Sequence, residues 1–132
     1  MANPRLLKDT VQLKNYIGEV NDVATYQTTI IERCYCPYTV GTGVDKHGIM
    51  PPNRATLYIF DENSAASAVG GGKRSYLPFE QWDALPDADK AGYWTIGMQD
   101  KFIIDGITFS VCSSKHLVQG TRRMWHFEVI GV

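Results

Sequence analysis

Three stretches hold residue types that could do chemistry, and each is tested first by its spacing. "VGGGKRS" (69–75) invites a phosphate-cradling loop, in which backbone N–H groups hold phosphates and a lysine neutralises them. That loop needs a glycine five positions before its Gly-Lys pair and a Ser or Thr directly after the lysine. Ser67 stands at the first position and Arg74 at the second, so the stretch reads as a linker ending in two cations. "CYC" sets Cys34 and Cys36 on one face of a strand, as in half of a zinc site. Its available partners, His47, His116, His126 and Cys112, show no paired spacing, and two such thiols are expected as small core or surface residues. "TRRMWHFEV" (121–129) interleaves Arg122 and Arg123 with Trp125 and Phe127. Small barrels hold single-stranded nucleic acid with that pattern, and subunit interfaces also favour it, because arginine reads carboxylates and stacks on rings. The interface is the stronger reading.

General bases are present without recognisable partners. His116 follows Ser113 and Ser114, but no Gly-x-Ser-x-Gly elbow occurs, and His126 sits between two aromatics as a sheet-face residue would. The acidic residues fall in loops or on a helix face, as solvated surface. The expectation is no enzyme, no cofactor and no metal.

The elements that would position these groups are mainly strands. Val11 and Leu13 alternate with Gln12 and Lys14, a half-buried strand pattern. Residues 23–40 are rich in Thr, Tyr, Ile and Val, with Pro37 ending or bending the run. "ATLYIF" (55–60) sets Leu57 and Ile59 opposite Tyr58 and Phe60. Short runs follow at 93–96, 101–104, 107–111 and 124–132. About seven strands between turn signals point to a small antiparallel β-barrel or sandwich. Asp105-Gly106 is the clearest hairpin turn. One short helix is expected after Pro78, with Phe79, Trp82 and Leu85 as its apolar stripe, Pro86 as its stop and a second short turn at "DADK". Trp82, Tyr93 and Trp94 are expected as scaffold, with Tyr93-Trp94 packed under that helix. Two long loops remain, 41–53 with Lys46 and His47, and 61–75 with Lys73 and Arg74. Loops of that length are functional or disordered. The second has little reason to be ordered in a lone subunit.

With 132 residues the chain is expected to form a single domain with a real core. A net charge of −1 excludes generic binding of phosphate backbones by the whole surface. Three cysteines do not make a disulfide scaffold, and the N-terminal stretch lacks the apolar core of a signal peptide. A soluble protein of a reducing compartment is expected, with no membrane contact.

The series "LLKDTVQLKNY", "GTGV", "ATLYIF", "YLPFEQWDAL", "GYWTIGMQDKFIIDG" and "MWHFEVIGV" resembles a family of minor capsid or head–tail connector proteins of siphophages. The likeness runs from about Lys8 to Gly131 and rests on order and spacing, since the motifs are scaffold-like. Two departures stand out: Gln99-Asp100 replaces a Gly-Asp turn, and Trp125 and His126 exchange order near the end. The resemblance implies a β-barrel head-closure (stopper) protein, a hexameric or dodecameric homo-oligomeric ring in the virion at the head–tail interface. Such a ring lies below the portal and adaptor proteins, docks the tail terminator or tail tube, and retains packaged double-stranded DNA. Assembly would take place in the bacterial host cytoplasm. It further implies that Lys73 and Arg74, then Lys46 and His47, approach DNA or an acidic partner. Arg122, Arg123 and Trp125 would serve the subunit interface. Loop 61–75 would order on assembly, and strand edges at "KDTVQL" and "MWHFEVI" would be covered by a neighbour. The alternatives are a tail terminator or tail-completion ring and, further off, a single-stranded nucleic-acid-binding barrel.

Overall fold

A computed structural model describes residues 7–41 and 53–132. The chain opens with two long strands, β1 (Asp9–Val20) and β2 (Val23–Cys34). They are joined by Asn21-Asp22, whose φ angles of 53° and 64° make a tight hairpin turn. Asn and Asp tolerate that left-handed backbone better than other residues with a Cβ. The period-two reading of β1 holds: Val11 and Leu13 are buried and Gln12 is exposed. The apolar run 23–40 is not one strand. It stops at Cys34, after Arg33 takes a positive φ of 55°, continues as a single bridge from Tyr35 to Tyr58, and resumes after Pro37 as β3 (Tyr38–Thr39).

β4 (Arg54–Phe60) buries Ala55, Leu57 and Ile59, the face expected from its alternation. β5 (Ala65–Ala68) and β6 (Ser75–Tyr76) come next. Two short helices stand where one was expected, because the "DADK" turn closes into its own: α1 (Phe79–Asp83) and α2 (Asp87–Lys90). Pro78 and Pro86 occupy the N-cap positions, where a missing N–H costs no hydrogen bond. Only Trp82 of the expected stripe is fully buried, and Phe79 stays 42% exposed. β7 (Tyr93–Trp94), β8 (Lys101–Ile104), β9 (Ile107–Leu117) and β10 (His126–Gly131) complete the chain, with a 3-10 turn at Arg122–Met124.

Eight strands form one antiparallel sheet in the order β3-β4-β10-β9-β8-β1-β2-β5, curled into a half-barrel, and β6 and β7 make a short parallel pair. β9 produces much of the curl. Its first residues pair with β8 through the Asp105-Gly106 turn, and from Val111 onward it pairs with β10. A register shift opposite Ile130 and Gly131 leaves Cys112 unpaired, a bulge that bends the strand. At the inside of the bend a Cβ on Gly131 would lie 2.7 Å from the rings of Phe102 and the Cβ of Phe109, so only glycine fits. The core joins Val11, Leu13, Ile31, Leu57, Phe102, Phe109, Phe127 and Val129, with the thiols of Cys34 and Cys36 among them.

Two expectations are corrected. The strands at "KDTVQL" and "MWHFEVI" do not end the sheet: β1 lies between β8, which pairs with its Gln12–Lys14, and β2, and β10 lies between β4 and β9. The sheet ends instead at β3 and β5. Loop 61–75 is built into the body, since Ala65–Ala68 pair with Thr29–Glu32 of β2. Small side chains hid this strand, because its pairing is non-local and its alternation carries no apolar signal. Among the described residues no helix is long and apolar enough to cross a membrane.

Candidate functional site

Segment 61–76 forms one wall of a cleft of about 440 Å³. The segment leaves β4 with the Ser64 N–H donating to Phe60 O, while the Ser64 hydroxyl donates to Arg33 O at 2.7 Å. After β5 the chain turns through Gly70, Gly71 and Gly72, whose φ angles of 90°, 109° and 98° suit glycine alone. It then returns beside β5, with Lys73 bridged to Ser67 and the Arg74 N–H donating to Ala66 O. The outer edge of β5 is thereby capped by its own chain. β4 and β5 come from opposite halves of the sheet order; the Tyr35–Tyr58 bridge ties β4 to the end of β2, and the cleft is lined in part by the loop residues that follow β4 and β5.

Arg33, Lys73, Arg74 and Arg122 line this cleft together with Asp61 and Glu62, over a floor that includes Tyr76, Trp94 and Phe127. The floor is rigid. Tyr76 packs on Trp94 and Phe127 with ring centroids 5.1 and 4.6 Å away, and His116 stacks on Phe127 at 3.8 Å. Burial, and secondarily Asp61, raise the Tyr76 hydroxyl above its ordinary pKa. Asp61 is 15% exposed and meets His116 Nε2 through Oδ2 at 2.8 Å, whereas its buried Oδ1 has no partner. That oxygen is closed off from solvent, and the cations lining the cleft are placed to attract an anion.

The four cations are not equivalent. Arg74 Nε donates to Ala91 O at 2.9 Å, and Nη1 donates to Thr29 Oγ1 at 2.9 Å and to Thr28 O. Burial lowers its pKa. Arg74 is therefore a clamp between β2, the glycine turn and the end of α2. Lys73 and Arg122 are exposed, as is Arg33, whose Nε donates to Asn63 O. The fold thus brings two separate sequence candidates together, Lys73-Arg74 from one loop and Arg122 from another. Arg122 also lies 5.8 Å from the Trp125 ring centre, and the exposed Arg123 shares its 3-10 turn. Lys46 and His47 lie outside the described residues.

The scaffold candidates divide. Asp105 and Gly106, with φ of 52° and 79°, form the β8–β9 hairpin turn, and Tyr38 donates its hydroxyl to Asp105 at 2.8 Å. Trp94 is 5% exposed and packs on Tyr76 and Phe127, while Trp82, at 1%, carries Lys90 Nζ 4.9 Å from its ring centre. Tyr93 is half-buried, and its carbonyl accepts from Gln27 Nε2 at 2.9 Å.

Reading the residues one by one missed Asp100. It is 2% exposed and accepts from Tyr16 N–H (2.8 Å), Gly97 N–H (2.6 Å) and Asn15 Nδ2 (2.8 Å). Burial raises its pKa, and the three donors act in the opposite direction. The only signal at hand was its place in a turn.

The thiols can be tested directly. Burial pushes Cys34 and Cys36 up to about 12, so neither is a nucleophile near neutral pH, whereas Cys112 is exposed on the bulge. A maleimide is expected to modify one cysteine of the native chain quickly and the other two only in denaturant. Mass spectrometry of the labelled protein checks this, and rapid native labelling of Cys34 or Cys36 would refute it.

The fold and the cleft together define a class: an antiparallel half-barrel with a cleft lined in large part by loop residues. Compared with known proteins, the chain matches no family model, no curated protein and no solved structure.

Proposed function

We propose that the chain is a structural virion protein of a tailed bacteriophage, a head-closure ring subunit between the portal or adaptor and the tail. What carries the reading is the division of labour within the chain. The motif series that resembles the connector family falls largely on β1, β4, α1, β7, β8 and β10, which are scaffold, whereas Lys73, Arg74 and Arg122 line one cleft from segments outside that series. A ring subunit needs this arrangement, because a stiff body must present different patches to its two neighbours. Exposed apolar groups on other parts of the surface, at Val20 and Val23 on the hairpin tip and at Met98, support a protein made to be covered. The near-neutral net charge suits a channel through which DNA must pass without being gripped.

The test is the place of the chain in a purified particle. Density for it is expected as a closed ring on the head side of the tail-tube junction. Loss of its gene is expected to give filled heads that leak DNA and separate, complete tails. Density on the tail side would instead favour a tail terminator.

A further inference from the structure

We propose that the basic cleft receives the acidic α1–α2 face of a second copy of this chain. The inference rests on the ring reading and names the contact that would build the ring. The exposed surface from 80 to 89 carries Glu80, Asp83, Asp87 and Asp89. The nearest cation, Lys90, is only 8% exposed; it lies over the Trp82 ring and reaches Asp87 at 3.5 Å. The cleft carries the opposite balance, with Arg33, Lys73, Arg74 and Arg122 against Asp61 and Glu62. In a chain of net charge −1, this is segregation of charge rather than excess.

The two patches do not overlap, although the end of α2 meets the cleft rim where Arg74 Nε donates to Ala91 O. Asp83 borders a different recess, formed with Tyr16, Ile17, Gly18, Phe79 and Lys90, which shares no lining residue with the cleft. One chain therefore offers both halves of a complementary pair at different places, the condition for a head-to-tail contact that closes into a ring. The carboxylates of Asp61 and Glu62 in the same lining also call for a donor on the partner. A polypeptide brings one, and Gln81 is exposed between the carboxylates of α1. A DNA backbone brings acceptors only, and would meet Asp61 and Glu62 as like charges. Electrostatic pairing of this kind sets partner choice and register, and it weakens with salt.

The experiment is charge exchange, read by sedimentation and native mass spectrometry of the full chain at low and high ionic strength. Arg74 is left intact because it clamps the fold. Wild-type chain is expected to associate at low salt and to weaken as salt rises. Lys73→Glu with Arg122→Glu is expected to weaken association at least tenfold, and so is Asp87→Lys with Asp89→Lys. Mixing the two reversed proteins is expected to restore assemblies in which they alternate, which unfolded variants could not do. If either pair fails to fold by circular dichroism, Lys73→Gln with Arg122→Gln and Asp87→Asn with Asp89→Asn replace them, each expected to weaken association less but in the same direction. Rings that form regardless of these changes overturn the inference and leave the ring reading standing. A chain that stays monomeric at low salt and high concentration, alone and with the purified neck proteins, overturns both.

Discussion

Replacing Asp100 with alanine is expected to lower the free energy of unfolding, read from urea titration, by about 3 kcal/mol or more. The substitution strands three donors, the N–H groups of Tyr16 and Gly97 and the amide of Asn15, in a site largely closed to water. Each orphaned buried donor costs about 1–3 kcal/mol. Asn15 is itself 0% exposed, and its Nδ2 also donates to Thr95 O at 2.6 Å, so it cannot turn to solvent. Asp100→Asn is the informative comparison. Its amide oxygen can keep the bonds from Asn15 and Gly97, but its NH2 then faces the Tyr16 N–H. It is expected to lose about half as much as alanine does, with an unchanged denaturant slope. Equal losses in both variants would mean that the carboxylate charge, and not the count of acceptors, holds the loop. A loss below about 1 kcal/mol for alanine would remove the network from the account altogether.

Asp100 also shows what a linear reading of this chain can reach. Val11 and Leu13, Leu57 and Ile59, and the Asp105-Gly106 turn were legible because strand period and turn chemistry are local. Asn15 and Asp100 are 85 positions apart, and neither type in its own neighbourhood announces a buried partner. The second half of β9 was hidden for another reason. Its residues 112–115 are exposed and mostly polar, so nothing in their alternation separates them from a loop, and only their pairing with β10 makes them strand. For the cleft, the types of Lys73, Arg74 and Arg122 were legible, but not their convergence. The clamp role of Arg74 depends on the carbonyls of Thr28 and Ala91, and backbone acceptors carry no sequence signature.

Excising residues 65–72 in favour of a short Gly-Ser linker therefore has a different expected result from the one composition suggests. A disordered loop could be removed with little effect on the folded subunit, since loop length alone costs little. Here the excision deletes β5 and uncovers the edge of β2 from Thr29 to Glu32. It also removes Ala66 O, which accepts from the Arg74 N–H, and so loosens the seat of the clamp whose guanidinium binds Thr28 and Thr29. Two losses follow. The subunit is expected to unfold at a clearly lower denaturant concentration, with a smaller slope because less surface is buried in the native state. The uncovered β2 edge, alternating Thr29 and Ile31 with Ile30 and Glu32, becomes a template for pairing with other chains, so soluble aggregates are expected on gel filtration. Placing a lysine at Ile30 in the excised chain is expected to suppress the aggregates without recovering the stability, which separates the exposed edge from the lost packing. An excised protein as stable and as monodisperse as the intact chain would show that 65–72 is an accessory to the half-barrel. The self-capped strand would then belong to the assembled particle rather than to the subunit.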